Sequence, residues 1–272
     1  MNIKNYMTNS PKNNSVSIIT SVFNNVSTIE NCILSVQKQN FEHLEHIIVD
    51  AGSTDGTLEI IKKYSDQQKL IYISEKDNGL YDGLNKGFKL AQGRIVAWLD
   101  SDNYYSPKIV DEVYSIFEKN NNIDVVYGNV TTVKNGKKVK DFIVRSDINF
   151  KKALKNNTGA IPVQPGVFFK KDLFEKVNGF NTTYKIAGDY DFWLKVLKTN
   201  PNLYYLNEIF GFFSLEDAGL SQSFGGIIHG LKEMVKIEKE HNQTFYGKIR
   251  LVTKYAKGLL SMCRKKILNK NA

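Results

Sequence analysis

The sequence predicts an α/β fold with a mainly parallel sheet, to which an antiparallel hairpin and a helical C-terminal extension are added. Two observations lead to this fold class. Short β-branched runs alternate with helical stretches over the first half of the chain, which is the pattern of βαβ units. Further along, an Asn135-Gly136 pair lies between two β-like runs, which is a strong local signal for a hairpin.

The predicted elements follow one another closely from Val16 onwards. The apolar run Val16–Phe23 predicts a strand buried on both faces, and Ser27 or Thr28 can cap a helix that continues to Gln39. The alternation continues with a strand His46–Asp50, a turn Ser53–Thr57 that leads into a helix to Ser65, a strand Leu70–Ser74, a helix near Tyr81–Ala91, a strand Arg94–Leu99, a helix Pro107–Lys119 and a strand Asp124–Tyr127. The predicted hairpin occupies Val130–Val144.

Length and composition fit one catalytic-sized domain with an appendage. We expect a polar segment 1–15, a domain 16–223 with halves 16–128 and 129–223, and a basic helical extension 224–272. The first segment has no apolar core of the signal-peptide kind, and the sequence has no uncharged run of roughly 20 residues, so we expect no membrane crossing. Cys32 and Cys263 form no disulfide framework, which fits a reducing cytoplasm.

Polar side chains follow each strand of the predicted parallel sheet. Asn24, Asp50 and Asp77 come after the first three strands, and Asp100 and Asp102 come after the fourth. Each of them alone is typical of a turn or a helix cap. Because ligands of such sheets bind at the carboxyl ends of the strands, their coincidence on one edge favours a binding site.

The strongest local signal is the pair Asp100 and Asp102, one residue apart directly after an apolar strand. Carboxylates suit Mg²⁺ or Mn²⁺, and such a cation can stabilise the charge that develops on a diphosphate leaving group. The alternative interpretation is a turn followed by the cap of the next helix. The four histidines show no metal-ligand spacing, so a zinc site is not expected.

Four motifs in order resemble family-2 glycosyltransferases with the GT-A fold, a Rossmann-like fold, and especially the bacterial surface-polysaccharide branch of that family. The resemblance covers residues 16 to 223. The motifs that carry it are Val16–Asn24, Ile48–Thr57, Asn78–Gly87 with Ala91–Gly93, and Leu99–Asp102. It implies an inverting enzyme that transfers a sugar from a nucleoside diphosphate, usually a UDP-sugar, to a hydroxyl of a saccharide or lipid-linked acceptor.

The resemblance also implies roles for the residues along that edge. Asp100 and Asp102 match the pair that holds Mn²⁺ or Mg²⁺, with Ser101 between them. Ala51 stands where many relatives carry an acidic residue that reads the uracil ring. The segments expected to contact base, ribose and diphosphate contain Ser21, Val22, Phe23, Asn24, Asp50, Lys76, Asp77, Asn78, Gly79 and Lys86. Gly79, Gly83 and Gly87 have the alternative role of allowing close helix packing.

The second half of the domain is expected to supply the general base and the acceptor site. Asp189 matches the Asp of a family Glu-Asp pair that removes the acceptor proton, although Gly188 replaces the Glu, and Asp191 is the reserve candidate. The alternative is that both carboxylates serve the start of a helix. By the same resemblance Gln164 can bond a sugar hydroxyl.

Two more features of the second half are expected to serve the acceptor or the donor. Trp193 can stack on a sugar, with a core position as the favoured alternative. Residues 214–223, with Asp217, Gly219 and Ser221, match a loop that closes over the donor in relatives.

Two other classes of function compete with glycosyl transfer. A dinucleotide-binding oxidoreductase is disfavoured, because no GxGxxG follows the first strand. A catalytically inactive sugar-nucleotide-binding or scaffolding relative in a membrane-associated assembly is disfavoured, because such a protein has no need of Asp189 beside Asp100 and Asp102.

The net charge of +9 is concentrated in the tail. No acidic residue follows Glu240, whereas eight basic residues do. Six apolar residues between positions 247 and 269 recur at spacings of three and four, which predicts a basic amphipathic helix. We expect this helix to bind an anionic membrane surface, placing the protein peripherally on the cytoplasmic face. Packing on the domain or on a second subunit in a homodimer is the alternative, and nucleic acid is not expected as a partner.

Overall fold

The computed structural model describes residues 15–39, 41–65, 70–156, 160–215 and 224–241. The chain forms two compact units, Met1–Glu216 and Asp217–Ala272, which are described separately. The predictions for the polar N-terminal segment, for the loop that contains Asp217, Gly219 and Ser221, and for the amphipathic helix of the tail lie outside the described residues.

The first half of unit 1 is the predicted βαβ array, and its elements are confirmed to within a few residues. In chain order they are β1 Val16–Val22, α1 Ile29–Gln37, β2 Leu44–Asp50, α2 Thr57–Ser65, β3 Leu70–Ser74, α3 Leu80–Leu90 and β4 Ile95–Trp98. The strands β3-β2-β1-β4 lie side by side and are all parallel. Val22 pairs with Asp50 and Asp50 with Ser74, so the carboxyl ends of these strands lie level.

The second half of unit 1 extends the sheet with mixed strand directions. Its elements are β5 Tyr104–Tyr105, α4 Ile109–Lys119, β6 Val125–Lys134, β7 Lys137–Phe142, α5 Phe150–Asn156, β8 Val167–Lys170, α6 Lys171–Lys176, α7 Gly188–Lys198 and β9 Leu203–Ser214. The hairpin is confirmed: β6 and β7 are antiparallel, and Asn135 and Gly136 between them both have positive φ. Within the described residues the sheet has nine strands in the order β3-β2-β1-β4-β8-β6-β9-β5, with β7 on β6.

The two faces of the sheet are packed differently. Ile18 and Ala97 belong to a mainly aliphatic cluster that includes α1 and α4. The next residues along the same strands, Ile19 and Trp98, face the other side because side chains alternate along a strand. There Trp98 joins an aromatic cluster with residues of α3, β8, α7 and the segment before α7, namely Phe88, Phe169, Phe180, Phe192 and Trp193. This cluster fixes the start of α7 against the sheet.

Unit 2 contains one described helix, α8, which spans Phe224–His241. Its start coincides with the predicted beginning of the helical extension. His229 and Glu233, one turn apart, lie 3.0 Å from each other. Within the described ranges, no helix has both the length and the apolar character needed to cross a membrane.

Candidate active site

Hydrogen bonds join the loops that follow β1 and β2. The N–H of Asn24 donates to Ser53 Oγ (2.9 Å), and Asn24 Oδ1 accepts the N–H of Thr54 (2.9 Å). Asn24 adopts a left-handed conformation (φ 48°), which asparagine tolerates better than most residues. Its side chain is thus engaged in holding the loop.

The turn between Asp100 and Asp102 is tied to the same loops. Asn25 Nδ2 donates to Ser101 Oγ (2.7 Å), and Thr28 Oγ1 donates to the Ser101 carbonyl (2.9 Å). Thr28 occupies the N-cap position of α1, as expected, but its side chain makes no capping bond because it bonds Ser101 instead. Ser101 therefore positions the two carboxylates that flank it.

Asp50 is fully buried at the end of β2. Its carboxylate accepts the Ser74 hydroxyl (2.6 Å) and the backbone N–H groups of Gly52 and Ser53 (3.2 Å each). The carboxylate is thus engaged in shaping the loop, so Asp50 can serve a bound base only through the backbone that it holds. Ala51 is partly exposed in that backbone.

Ser21, Asp77 and Gly83 lie close together where α3 packs on the end of β1, and we call this cluster the donor cradle. Asp77 Oδ1 accepts the N–H of Gly79 (2.8 Å), whereas Asp77 Oδ2 is buried and has no hydrogen-bond partner among the described residues. A Cβ at Gly83 would lie 2.3 Å from Ser21 Oγ and 2.9 Å from Asp77 Oδ2. The absence of a side chain at Gly83 therefore allows α3 to approach these two oxygens closely, which is the alternative packing role predicted from the sequence. An unsatisfied buried carboxylate oxygen is costly, and a ligand hydroxyl would satisfy it.

The cations near the cradle differ from each other in their availability. Lys86 Nζ lies 2.7 Å from Glu75 and 3.6 Å from Asp82, so its charge is already compensated and the prediction that it adds positive charge for a diphosphate is not supported. Lys76 is exposed, and its side chain and backbone pass close to Gly52.

Val22 is buried, whereas the Phe23 side chain beside it is 61% exposed, which suits stacking on a flat ligand.

Three carboxylates interact electrostatically near the carboxyl end of β4. Burial raises the pKa of Asp100 to about 7, and the negative charges of Asp102 and then Asp189 add to the increase. Asp189 and Asp100 also raise the pKa of Tyr81, after burial as the main cause. Residues far apart in the sequence, Asp100, Asp102 and Asp189, therefore share one electrostatic environment.

The surroundings of Asp189 and Asp191 distinguish the two candidates for the base. Both lie in the first turn of α7, but Asp191 is buried and its carboxylate is 3.3 Å from Lys195 Nζ. Asp189 is partly exposed and faces Asp100 closely enough to affect its pKa. The geometry therefore favours Asp189 as the group that meets a substrate.

Gly188 is explained by the tyrosine ring beside it. A Cβ at Gly188 would lie 2.6 to 2.8 Å from three carbons of the Tyr81 ring. The Tyr81 hydroxyl donates to the Ile186 carbonyl (2.8 Å), which fixes the segment before α7 to α3. In this chain Tyr81 occupies the space that a Glu at position 188 would need.

Gln164 and Trp193, the predicted sugar contacts, differ in their surroundings. Both polar atoms of the Gln164 amide are buried and have no partner among the described residues, so this side chain is available to a ligand. Trp193 is 1% exposed and stacks on Trp98 with ring centroids 6.0 Å apart. It is a core residue covered by other aromatic side chains, which is the alternative that the sequence favours over stacking on a sugar.

A divalent cation fits Asp100 and Asp102. Burial is the main cause of the raised pKa of Asp100, and a positive ion would relieve the repulsion by Asp102 and Asp189 that adds to it. In the part of the chain that the structure describes, no three His, Cys, Asp or Glu side chains form a protein cage for a metal. Mg²⁺-like ions commonly use one or two carboxylates and take the other ligands from phosphate and water. Asp100 and Asp102 are two carboxylates of the kind that such an ion uses.

Comparison with known proteins decides the family. The family model described as Glycosyl transferase family 2 matches residues 17–177, more than half of the chain. The chain belongs to this family. Among relatives of this glycosyltransferase, the Escherichia coli protein named UDP-Glc:alpha-D-GlcNAc-diphosphoundecaprenol beta-1,3-glucosyltransferase WfgD is 32% identical over 186 residues, which are 68% of this chain and 70% of the relative. A Rickettsia typhi glycosyltransferase is 28% identical over 71% of this chain, and the match spans 62% of that relative.

Solved structures share the fold of this glycosyltransferase. Staphylococcus aureus TarS in complex with UDP-GlcNAc matches with a TM-score of 0.67 at 18% identity, over 88% of this chain and 71% of that chain. A mannosyltransferase from Pyrobaculum calidifontis in complex with GDP-Man and Mn²⁺ matches with a TM-score of 0.60 at 16% identity, over 98% of this chain and 86% of that chain. The predicted GT-A fold is thereby confirmed.

Sequence reasoning missed one buried residue of this glycosyltransferase, Asn103. Its Nδ2 donates to Asp100 Oδ2 (3.3 Å), and its Oδ1 accepts the N–H of Ser214 at the end of β9 (2.9 Å). It therefore links the Asp100 turn to the second half of the sheet. The signal was its position directly after Asp102 in a segment already singled out, but nothing in the sequence shows that Ser214 is its partner.

Proposed function

We propose that the protein transfers a sugar from a UDP-sugar to a hydroxyl of a saccharide or lipid-linked saccharide. The transfer inverts the configuration at the anomeric carbon. The observation that carries the proposal is the convergence of Asp100, Asp102 and Asp189 beside the donor cradle. Two of these carboxylates suit a metal-bound diphosphate, and the third suits a base.

On the donor side, the exposed Phe23 ring is placed to cover the base. The donor cradle offers an acceptor, Asp77 Oδ2, to a donor hydroxyl. Asp100 and Asp102 would hold Mn²⁺ or Mg²⁺, which supplies positive charge to the departing diphosphate when it is bound. Ser101 and Asn103 keep these two carboxylates in place through the hydrogen bonds described above.

On the acceptor side, Asp189 accepts the proton of the attacking hydroxyl. The hydroxyl oxygen forms a bond to the anomeric carbon while the bond from that carbon to the diphosphate oxygen breaks, and the electron pair leaves with the nucleoside diphosphate. A single displacement needs one base and gives inversion, unlike the paired carboxylates of retaining glycosidases. The Gln164 amide is available to orient a sugar hydroxyl during this step.

The names of relatives support the substrate class. The Escherichia coli relative is named as a UDP-Glc-dependent enzyme acting on a diphosphoundecaprenol-linked sugar, and TarS was solved with UDP-GlcNAc. A Mycobacterium tuberculosis relative, 26% identical over 69% of this chain and 71% of its own length, is named PGL/p-HBAD biosynthesis glycosyltransferase. We place this protein in the synthesis of a cell-surface polysaccharide on the same grounds.

The test is UDP binding with and without Mn²⁺, measured by calorimetry on wild type and Asp102→Ala. Wild type is expected to bind UDP more tightly with Mn²⁺, and the variant is expected to lose that increase. Asp111→Ala is the control, since Asp111 is an exposed carboxylate in the first turn of α4. Undiminished Mn²⁺-dependent binding and turnover in Asp102→Ala would contradict the metal assignment.

We also propose that the protein acts peripherally at the cytoplasmic face of the membrane, through the basic tail. Sedimentation with anionic liposomes tests this for the full chain and for a truncation ending at Phe245. Equal binding by the two forms would show that the tail is not an anchor. Sedimentation velocity of the protein without lipid reports the oligomeric state and so tests the alternative role of the tail, packing on a second subunit in a homodimer.

A further inference from the structure

The hairpin tip and the strand β7 form an exposed surface on unit 1, which we call the basic hairpin and define as residues 134–143. Among the described residues β7 pairs with β6 alone, so its outer edge is open. Every residue of β7 except Phe142 is exposed. Two aliphatic side chains stand out from this surface, because Val139 is 53% exposed and Ile143 is 62% exposed.

Positive charge is concentrated around the basic hairpin. Residues 134–152 contain seven Lys or Arg and two Asp, an excess of five positive charges. Residues after Glu240 account for eight of the nine net charges of the chain, so residues 1–240 carry a net charge of 9 − 8 = +1. Without the five excess charges of residues 134–152, the rest of residues 1–240 carries a net charge of 1 − 5 = −4. Both acidic residues of the segment are engaged by its own cations, Asp141 by Lys138 (2.7 Å) and Asp147 by Arg145 (2.9 Å). Within residues 1–240, positive charge is therefore concentrated on this surface.

Protection against aggregation accounts for only part of this composition. Lysines and a bulge on an edge strand prevent unwanted strand pairing, and β7 has both. That role does not explain Val139 and Ile143, since exposed aliphatic residues on an edge promote association. Aliphatic side chains interleaved with lysines suit an anionic bilayer, where the charges meet lipid phosphates and the aliphatic groups enter the headgroup region.

The basic hairpin is connected to the catalytic end of the sheet. Val133, at the end of β6, pairs with Ser214 in β9. The N–H of Ser214 donates to Asn103, and Asn103 bonds Asp100. The hairpin therefore leaves the sheet at the end where the three carboxylates meet.

We propose that the basic hairpin docks on an anionic membrane surface and so brings the catalytic end of the sheet to a lipid-linked acceptor. The inference rests on the proposed function for the nature of the acceptor. It adds a contact site in the catalytic unit that is separate from the tail.

The first experiment measures the partition coefficient of the full chain on vesicles of phosphatidylcholine mixed with phosphatidylglycerol. Each lysine near such a surface contributes about fivefold, so Lys137→Ala/Lys140→Ala should lower the partition coefficient about 25-fold even with the tail present. The control is Lys62→Ala/Lys119→Ala, which removes two exposed lysines elsewhere and should change it less than about twofold. Equal partition of the two double variants would overturn the proposal.

The second experiment locates the contact. Ile143→Cys in a Cys263→Ser background is labelled with an environment-sensitive fluorophore, because the other cysteine, Cys32, is buried. A blue shift on adding anionic vesicles is expected, and binding without a shift would overturn the proposal. A shift caused by a nucleic acid or a protein partner but not by vesicles would also overturn it.

UDP binding separates this inference from the proposed function. The lysine variants should bind UDP and Mn²⁺ as wild type does, because they lie outside the donor site. If vesicle binding depends on the hairpin but the protein shows no Mn²⁺-dependent UDP binding, the proposed function is refuted and the docking surface stands. Normal UDP binding with hairpin-independent partition would refute the docking surface alone.

Discussion

Asp189 and Asp191 lie two residues apart on one helical turn, yet replacing Asp189 should affect turnover and replacing Asp191 should affect stability. Asp189→Asn keeps the size of the side chain and removes its ability to accept a proton. Turnover should fall by about 10²- to 10⁴-fold, the usual contribution of a general base. UDP affinity should be retained or improved, because the charge of Asp189 raises the pKa of Asp100 and its loss makes that carboxylate easier to ionise.

Asp191→Asn should act on stability instead. The carboxylate is buried and 3.3 Å from Lys195 Nζ, whose side chain is 25% exposed and can regain part of its hydration. The loss of this pair should cost about 1–2 kcal/mol, which lowers Tm by about 2–8 °C in a protein of this size. Turnover at a temperature well below Tm should stay within a few-fold of wild type.

Three measurements on each variant separate these outcomes: UDP release with a donor and acceptor that wild type uses, UDP affinity by calorimetry, and thermal unfolding. The reasoning is refuted if Asp191→Asn is inactive at wild-type stability while Asp189→Asn turns over normally. That result would identify Asp191, two residues further along α7 and next to Lys195, as the base.

The remaining predictions concern two glycines and the partly buried residue Asp100. Gly83→Ala must displace Ser21 and Asp77 in the donor cradle and should weaken UDP-sugar binding about tenfold, equivalent to about 1.4 kcal/mol, in a calorimetric titration. Gly188→Ala must displace the Tyr81 ring and should lower the free energy of unfolding by about 1–3 kcal/mol in urea denaturation; an unchanged midpoint would contradict the contact. Because the pKa of Asp100 is raised to about 7, the metal-free protein should lose stability as pH rises from about 4 to 8, and Asp100→Asn should flatten that dependence in thermal unfolding scans.

Local patterns predicted the elements of the sheet well, because the residue types within a short segment determine whether it is buried as a strand or forms a turn. Val16–Val22 contains no charged residue and is completely buried, as the sequence predicts. Asn135 and Gly136 both adopt the positive φ that a hairpin turn requires. Such features depend on neighbours in sequence, and no knowledge of the tertiary fold is needed to read them.

Pairings between distant residues could not be predicted in the same way. Whether Lys86 is available depends on Glu75, and whether Trp193 is accessible depends on Trp98, a strand residue 95 positions earlier. Asp50 was expected in the donor segment, but only the fold shows that its carboxylate is engaged by Ser74. Residue type and position identify the edge of the sheet where ligands bind, whereas the role of each side chain there is decided by the partners that folding brings to it.

The hydrogen-bonded loops after β1, β2 and β4 have a thermodynamic consequence for ligand binding. Asn24, Asn25 and Thr28 fix these loops to Ser53, Thr54 and Ser101 before any donor arrives. Ordering a loop on binding reduces affinity, and a site that is already ordered avoids that loss. Backbone amides in these loops should therefore exchange slowly with solvent in the free protein, and differences in donor preference between close relatives should arise from single side chains on a fixed frame.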